Sequence, residues 1–348
     1  MSGDQPPKAR GLELLRPAAV IDTSQVEAGR SVEFMQDAYA TNAFFAAEFP
    51  SSAVSSHIEN WSLPGLAATR QVSDASKILL TGSKRFSSPD LVYVRLNLEG
   101  SSRAFFDGRS HIARPGDISI LGSRGVGITD FTKRRTLVTY LPRSAVVPHP
   151  DAPLPDVIRA SSPSGRLFSS ALREFNRALP ETPLNQAGEL ASGLVQVIRA
   201  MLKSAEPDLE QDDLASARRK AIVDYIDCNL DKPALDAQTL CKQFGISRAT
   251  LYRTFRDDGG VDSFILERRL LRVYQDLSTS RNQRGAVARV AERWGFHDSS
   301  KLTTQFRRLF GLRPSDVVSS ERAQETSTAG KMTKAENHRL EAMMRELS

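Results

Sequence analysis

Two stretches in the last third of the chain obey one template. The first, Leu235 to Arg256, reads LDAQTLCKQFGISRATLYRTFR, and the second, Val287 to Arg308, reads VARVAERWGFHDSSKLTTQFRR. In each, a small residue stands four positions before a glycine, Cys241 before Gly245 and Ala291 before Gly295, and the two glycines lie 50 residues apart. A large apolar pair then recurs at helical spacing, Leu251 with Phe255 and Leu302 with Phe306. The template predicts two helices joined by a tight turn. The small residue lets the helices approach, and the glycine takes the positive φ that the turn needs. A chain that repeats this unit must present two second helices, each with an apolar inner face and a polar outer one.

The polar faces have the chemistry of DNA readers. A single helix fits the major groove, where the base edges can be told apart. Ser247 and Asp298 are expected to cap the two reading helices. Helical spacing then turns Arg248, Ala249, Tyr252 and Arg253 outward in the first unit, and Ser299, Ser300, Lys301 and Thr304 in the second. Arg253 is the best candidate base reader, because arginine can bond guanine bidentately. Arg256, Arg307 and Arg308 lie further along and are expected on phosphate, which positions the protein without specifying sequence. Between the units, Val261 to Ser278 reads as a connecting helix with Asp262 as its cap and Phe264, Ile265, Leu270, Leu271, Val273, Tyr274 and Leu277 as its apolar residues. Eighteen helical residues span about 27 Å, close to the roughly 34 Å between successive major grooves on one DNA face.

Charge points the same way. The whole chain carries +6, yet Arg218 to Asp316 alone holds 19 Lys and Arg against 12 Asp and Glu. The positive charge is therefore concentrated where the doubled template lies, as a phosphate-binding surface requires.

The N-terminal half has a different period. In LVYVRLNLEG, Leu91 to Gly100, aliphatic Val92, Val94, Leu96 and Leu98 alternate with Tyr93, Arg95 and Asn97, which is a strand signal. Asp107-Gly108 reads as a hairpin turn and Arg114-Pro115-Gly116-Asp117 as a turn before the strand Ile118 to Leu121. Short strands with regular turns over Trp61 to Arg143 predict a small barrel or jelly roll. A helix is expected near Val32 to Ala47. The proline-rich run Val146 to Asp156 reads as a boundary, and helices are expected over Ser164 to Ala178 and Ala187 to Lys203.

Other chemistries find little support. The two cysteines, Cys228 and Cys241, offer no CxxC pair, and the five histidines are scattered, so neither a disulfide framework nor a metal site is expected. No stretch approaches the roughly 20 apolar residues of a membrane span, and the N-terminus lacks the apolar run of a signal peptide. A cytoplasmic protein with no cofactor, no catalytic residues and no membrane partner is expected.

The pieces SRATLYRTFR, then GGV-x-x-F-I-x-x-RRL from Gly259 to Leu270, then RVAERWGFHDSSKLTTQFRRLFGLRPS from Arg289 to Ser315, resemble the AraC/XylS family of bacterial transcription regulators. The resemblance covers about Arg218 to Val318. It departs at Leu302, where phenylalanine is frequent, at Cys241, where alanine is usual, and at Val317-Val318, where a tyrosine-arginine pair often follows. A looser likeness, resting on Leu98-Glu99-Gly100, the Asp107-Gly108-Arg109 turn, Arg114-Pro115-Gly116-Asp117 and Leu141-Pro142-Arg143, implies a cupin-like sensor barrel without the paired histidines of a metal centre. The fold so implied is α+β and multidomain: an N-terminal cupin-like β-barrel with flanking helices, then an all-α domain with two helix-turn-helix motifs joined by a connecting helix. The expected divisions are a flexible N-terminus over 1–20, a sensor domain over 21–156, a helical dimerisation segment over 157–205, a linker over 206–213, the DNA-binding domain over 214–320 and a polar tail over 321–348. The implied partners are promoter DNA, a small organic effector, RNA polymerase and a second copy of the chain, with Tyr93 and Arg95 as candidate ligand contacts. The function so implied is an effector-responsive activator. A regulator whose N-terminal domain binds a protein, or nothing, and which acts as a repressor or dual regulator is the alternative.

Overall fold

The computed structural model describes residues 13–27, 29–41, 45–80, 90–106, 109–122, 127–147, 154–204, 213–280, 285–310 and 313–317. The Asp107-Gly108 turn, most of the 206–213 linker and the 321–348 tail lie outside them. In chain order the N-terminal part runs β1 (Ala19–Asp22), α1 (Ser31–Thr41), β2 (Phe45–Glu48), β3 (Ser56–Leu63), β4 (Leu66–Ser73), β5 (Ser76–Leu80), β6 (Leu91–Glu99), β7 (Ser102–Phe106), β8 (Arg109–Ala113), β9 (Ile118–Gly122), β10 (Gly127–Phe131), β11 (Arg134–Pro142), α2 (Arg143–Val146), β12 (Val157–Ile158), α3 (Pro163–Ala178) and α4 (Ala187–Ser204). The helical part runs α5 (Asp213–Cys228), α6 (Ala237–Phe244), α7 (Arg248–Thr254), α8 (Val261–Thr279), α9 (Ala286–Arg293) and α10 (Ser299–Phe310).

The strands form two antiparallel sheets, one of seven strands in the order β1-β3-β4-β11-β6-β9-β12 and one of five in the order β2-β5-β10-β7-β8. Strand alternation decides what each face does. On β6, Val92, Val94 and Leu96 point to a core shared with Phe168, Leu172 and Phe175 of α3 and Leu194, Ile198 and Met201 of α4. Tyr93 and Arg95 point the other way, into the space between the sheets. Trp61 is buried among the same core residues as the helices. This is the expected α+β plan, with a cupin-like barrel and flanking helices.

Two local expectations need correction. The helix expected from Val32 to Ala47 ends at Thr41, and β2 begins at Phe45, where Phe45 to Glu48 pair with Leu80 to Lys77 of β5. A free sheet edge thus overrides the local apolar pattern. The N-terminus expected to be flexible through residue 20 is anchored from Glu13 onward. Leu14 bridges to Pro183, the Leu15 amide donates to Thr182 O at 2.8 Å, and Leu15 is buried in the α3–α4 core. One leucine inserted into a core formed far along the chain leaves no periodic signal in sequence.

In the helical part, the apolar residues expected on α8, from Phe264 to Leu277, are all buried, as are Leu251, Phe255, Leu302 and Phe306. They form one core that also includes Leu79, Phe105 and Ile128 of the five-stranded sheet. The outer face of that sheet therefore packs on the helical domain. The remaining void there is about 10 Å³, about the least that holds one water.

Candidate nucleic-acid interface

The two helix-turn-helix units close in the same way. Gly245 ends α6 at φ 60°, and the following Ile246 amide donates to Cys241 O at 3.2 Å. Gly295 follows α9 at φ 77°, and the Phe296 amide donates to Ala291 O at 2.9 Å. Each is a Schellman closure, with the left-handed residue just past the helix and the next amide returning to its last turn. The small residue singled out by the sequence is thus the acceptor of the closing bond. A side chain at Gly245 would meet nothing within 4 Å, so that glycine is required for its φ, not for space.

The second helix of each unit starts on the expected cap. Ser247 Oγ accepts from the Thr250 amide at 3.1 Å. Asp298 Oδ1 accepts from the Ser300 and Lys301 amides at 2.8 and 3.0 Å. On α7, Arg248, Ala249 and Arg253 are exposed, and Arg256 just beyond it is exposed as well. On α10, Ser299, Ser300, Lys301, Thr304, Arg307 and Arg308 are exposed. Leu251 and Leu302 fasten the opposite faces at zero exposure. Both helices thus offer a continuous polar, cationic surface.

Tyr252 is held differently. It is half-buried, its hydroxyl donates to Asp262 and accepts from Arg248 Nη2 at 3.3 Å, and the Arg248 guanidinium lies 5.4 Å from its ring centroid. Asp262 is the residue expected to cap α8. Instead Gly260 occupies the cap position without a side-chain bond, and Asp262 sits in the first turn facing Tyr252. The short α6–α7 unit packs its reading helix against the start of α8, which draws the carboxylate to a side-chain partner.

A further bridge escaped sequence reasoning. Arg269, on α8, donates through Nε to Leu230 O at 3.0 Å and through Nη2 to Lys232 O at 2.8 Å. Its guanidinium also lies against the second turn, where a Cβ on Gly295 would stand 3.4 Å from Arg269 Cζ. One side chain therefore touches both the lead-in to the first unit and the turn of the second. Its position on the helix, next to buried Arg268, was the available signal, but two adjacent arginines read as solvent-facing charge.

Tyr93 and Arg95 belong to β6 of the barrel, not to these helices. They line a cavity between the sheets, of about 70 Å³, together with Arg134, Tyr140 and Phe131. Arg134 and Tyr140 were missed, although Arg134, Thr136, Val138 and Tyr140 alternate on β11 and all line the cavity. No group of three or more His, Cys, Asp or Glu suited to a metal ion occurs among the described residues. No described helix is long and apolar enough to cross a membrane.

Residues 240–320 match the family model described as a helix-turn-helix domain. The multiple antibiotic resistance protein MarA of Salmonella typhimurium (strain LT2) is 29% identical over 96 residues, covering 27% of this chain and 72% of that protein. MarA of Escherichia coli (strain K12) aligns with the same figures. Among solved structures, the AraC-like transcriptional activator CuxR matches with a TM-score of 0.48 at 20% identity, over 74% of this chain and 95% of that one. ToxT from Vibrio cholerae O395 matches with a TM-score of 0.30 at 11% identity, over 77% of this chain and 98% of that one.

Proposed function

We propose that the chain is a helix-turn-helix DNA-binding transcription regulator of the AraC/XylS type, an effector-responsive activator that reads two adjacent major-groove segments with α7 and α10. The observation that carries this reading is the pair of identically closed units with exposed cationic second helices, joined by α8. That helix has 19 residues, or about 28 Å, and its buried face keeps the units at a fixed separation.

The roles divide by position. Arg253, Arg248 and Ala249 on α7, and Ser299, Ser300, Lys301 and Thr304 on α10, face the base edges. Arg256, Arg307 and Arg308 contact phosphate. Tyr252 holds Arg248 and the start of α8 in place. The N-terminal barrel senses a small organic effector, and the bound regulator contacts RNA polymerase from a cytoplasmic pool. A second copy of the chain pairs through surface outside the apolar stripe of α4, since Leu194, Ile198 and Met201 of that stripe are used within the chain. Leu167, 65% exposed on α3, is free for such a contact.

Genome-wide mapping of bound DNA followed by footprinting of the recovered sites tests this reading. The expected footprint per chain is two protected segments about one helical turn apart, roughly 10 base pairs centre to centre. Binding without sequence preference, or protection of a single segment per chain, would overturn it.

A further inference from the structure

Resting on the reading of the barrel as an effector sensor, we propose that its cavity binds a small carboxylate, held by Arg95 and Arg134 against Phe131, and that the ligand is sensed through the single sheet separating the cavity from α8.

Two guanidinium groups enter one small chamber. The Arg95 and Arg134 Cζ atoms lie 4.7 and 4.1 Å from the centroid of the same Phe131 ring. Arg134 Nη1 donates to Asp74 O at 3.0 Å and to Ser76 Oγ at 2.8 Å, and Nη2 to Tyr39 Oη at 3.4 Å, all neutral acceptors. Arg95 Nη1 is closed to solvent and has no hydrogen-bond partner. Among the described residues, no Asp or Glu lines the cavity. Burial pulls Arg95 down to about 10 and lowers Arg134 as well; a guanidinium keeps its proton in proteins. Two like charges with an unfilled donor in a low-dielectric space lack the anion that buried cations ordinarily hold.

The shape of the site selects the anion. A guanidinium presents parallel N–H donors that match the two oxygens of a carboxylate. The remaining wall is largely apolar, with Ile78, Leu80, Leu121 and Val138, which suits a short hydrocarbon body and disfavours a dianion such as phosphate. At roughly 15 Å³ per water-sized site, the 70 Å³ cavity accepts about five non-hydrogen atoms, the size of propionate.

The same strands carry the signal. On β10, Gly127, Thr129 and Phe131 line the cavity, while Ile128 and Asp130 face α8. On β7, Phe106 lines the cavity, while Arg103 and Phe105 meet Glu267 and Phe264 of α8. A carboxylate that repositions Phe131 therefore moves a strand whose other face is packed against the helix joining the two reading units.

Calorimetry on the full chain, with propionate, propionamide, benzoate and inorganic phosphate as probes, tests the site. Propionate is expected to bind at least about tenfold more tightly than its neutral isostere propionamide, a margin of about 1.4 kcal/mol. Arg95→Met is expected to lower propionate affinity by a similar factor. Hydrogen exchange of α8 amides is expected to change on addition of propionate. Equal binding of propionamide, preference for benzoate or phosphate, or no binding of propionate overturns the assignment. Propionate binding with unchanged α8 exchange overturns the sensing step. If Arg95→Met does not unfold cooperatively, the propionate–propionamide comparison on the unaltered protein decides alone. DNA footprinting is read separately, so loss of the ligand assignment and loss of the DNA-reading assignment are distinguishable.

Discussion

Arg103 of β7 and Glu267 of α8 form an ion pair at 3.5 Å across the face where the barrel meets the DNA-reading domain. The pair is one part of a larger contact. Beside it, Arg268 lies 4.8 Å from the ring centroids of both Phe105 and Phe264, and pairs with Asp227 at 2.9 Å. Arg268 is only 2% exposed, and burial draws it down to about 10. These charged residues make the strength of the contact conditional, because Glu267 depends on Arg103 and Arg268 on the Phe105 ring from the opposite side.

Glu267 gives that contact a pH dependence. Burial pushes its carboxyl up from the ordinary value of 4.5, as do the nearby carboxylates Asp130 and Asp258, while Arg103 and Lys77 oppose the shift. The net shift is upward, so the docked state holds the proton more tightly than a state in which Glu267 is in water. Docking is then fully favoured below pH 4.5 and weakens as pH rises through the raised value. Hydrogen exchange of α8 and β7 amides is expected to quicken over that interval. Glu267→Gln, a neutral isostere, is expected to remove the dependence and to slow exchange at neutral pH relative to the unaltered chain. Exchange that is independent of pH in the unaltered chain, once corrected for intrinsic rates, would count against this account.

The two turn glycines should respond alike to the same substitution. Gly245→Ala forces an L-residue into φ 60° with open space around it. A cost of about 1–2 kcal/mol is expected. Gly295→Ala meets the same backbone penalty at φ 77°, and its methyl would stand 3.4 Å from Arg269 Cζ, an ordinary van der Waals contact. The two variants are expected to lower the thermal unfolding midpoint by similar amounts. A markedly larger loss in Gly295→Ala, removed by Arg269→Ala, would show that the Arg269 guanidinium does not yield to the methyl.

The doubled units were legible because their chemistry is local. A glycine at positive φ, a cap one turn before an apolar pair and a small residue four positions upstream each act within one helix and its turn, so Ser247, Asp298, Leu251 and Phe306 could be placed from spacing alone. The barrel was legible as alternation, which put Tyr93 and Arg95 on one face of β6 without saying which face was the interior. What the sequence could not show depends on contacts between distant segments. Leu15 reaches a core built by α3 and α4. Arg134 meets Arg95 only because β11 pairs with β6. Glu267 and Arg268 read as the polar side of an amphipathic helix, yet a sheet about 160 residues earlier covers them. Asp262 was misplaced for a related reason: its partner Tyr252 lies on a different helix, and that side-chain donor took the place of the backbone amides a cap would hold.

Tyr252 offers a test of positioning against reading. Tyr252→Phe keeps the ring beneath Arg248 but removes the hydroxyl that links Arg248 to Asp262. If the tyrosine only positions Arg248, the variant is expected to weaken binding of the specific site by a few-fold with the order of preferred bases unchanged, and Asp262→Asn is expected to behave alike. A changed base preference at one position in Tyr252→Phe alone would instead make the hydroxyl a direct reader. Competition binding against single-base variants of the mapped site distinguishes the two.

Arg253 and Arg307 should differ in what their loss does to specificity. Arg253 is exposed in the last turn of α7, on the face opposite buried Leu251. Arg307 lies in the last turn of α10, one residue beyond buried Phe306. Arg253→Ala is expected to cost about 1–3 kcal/mol on the specific site and to relax discrimination at one base pair. Arg307→Ala is expected to weaken specific and random DNA alike and to lower the slope of log affinity against log salt by about one unit. Titrations at several salt concentrations, on the mapped site and on random duplex, provide both quantities. Were the two variants to lose the same factor on both duplexes with the same salt slope, the division of α7 and α10 into base-reading and phosphate-holding positions would fail.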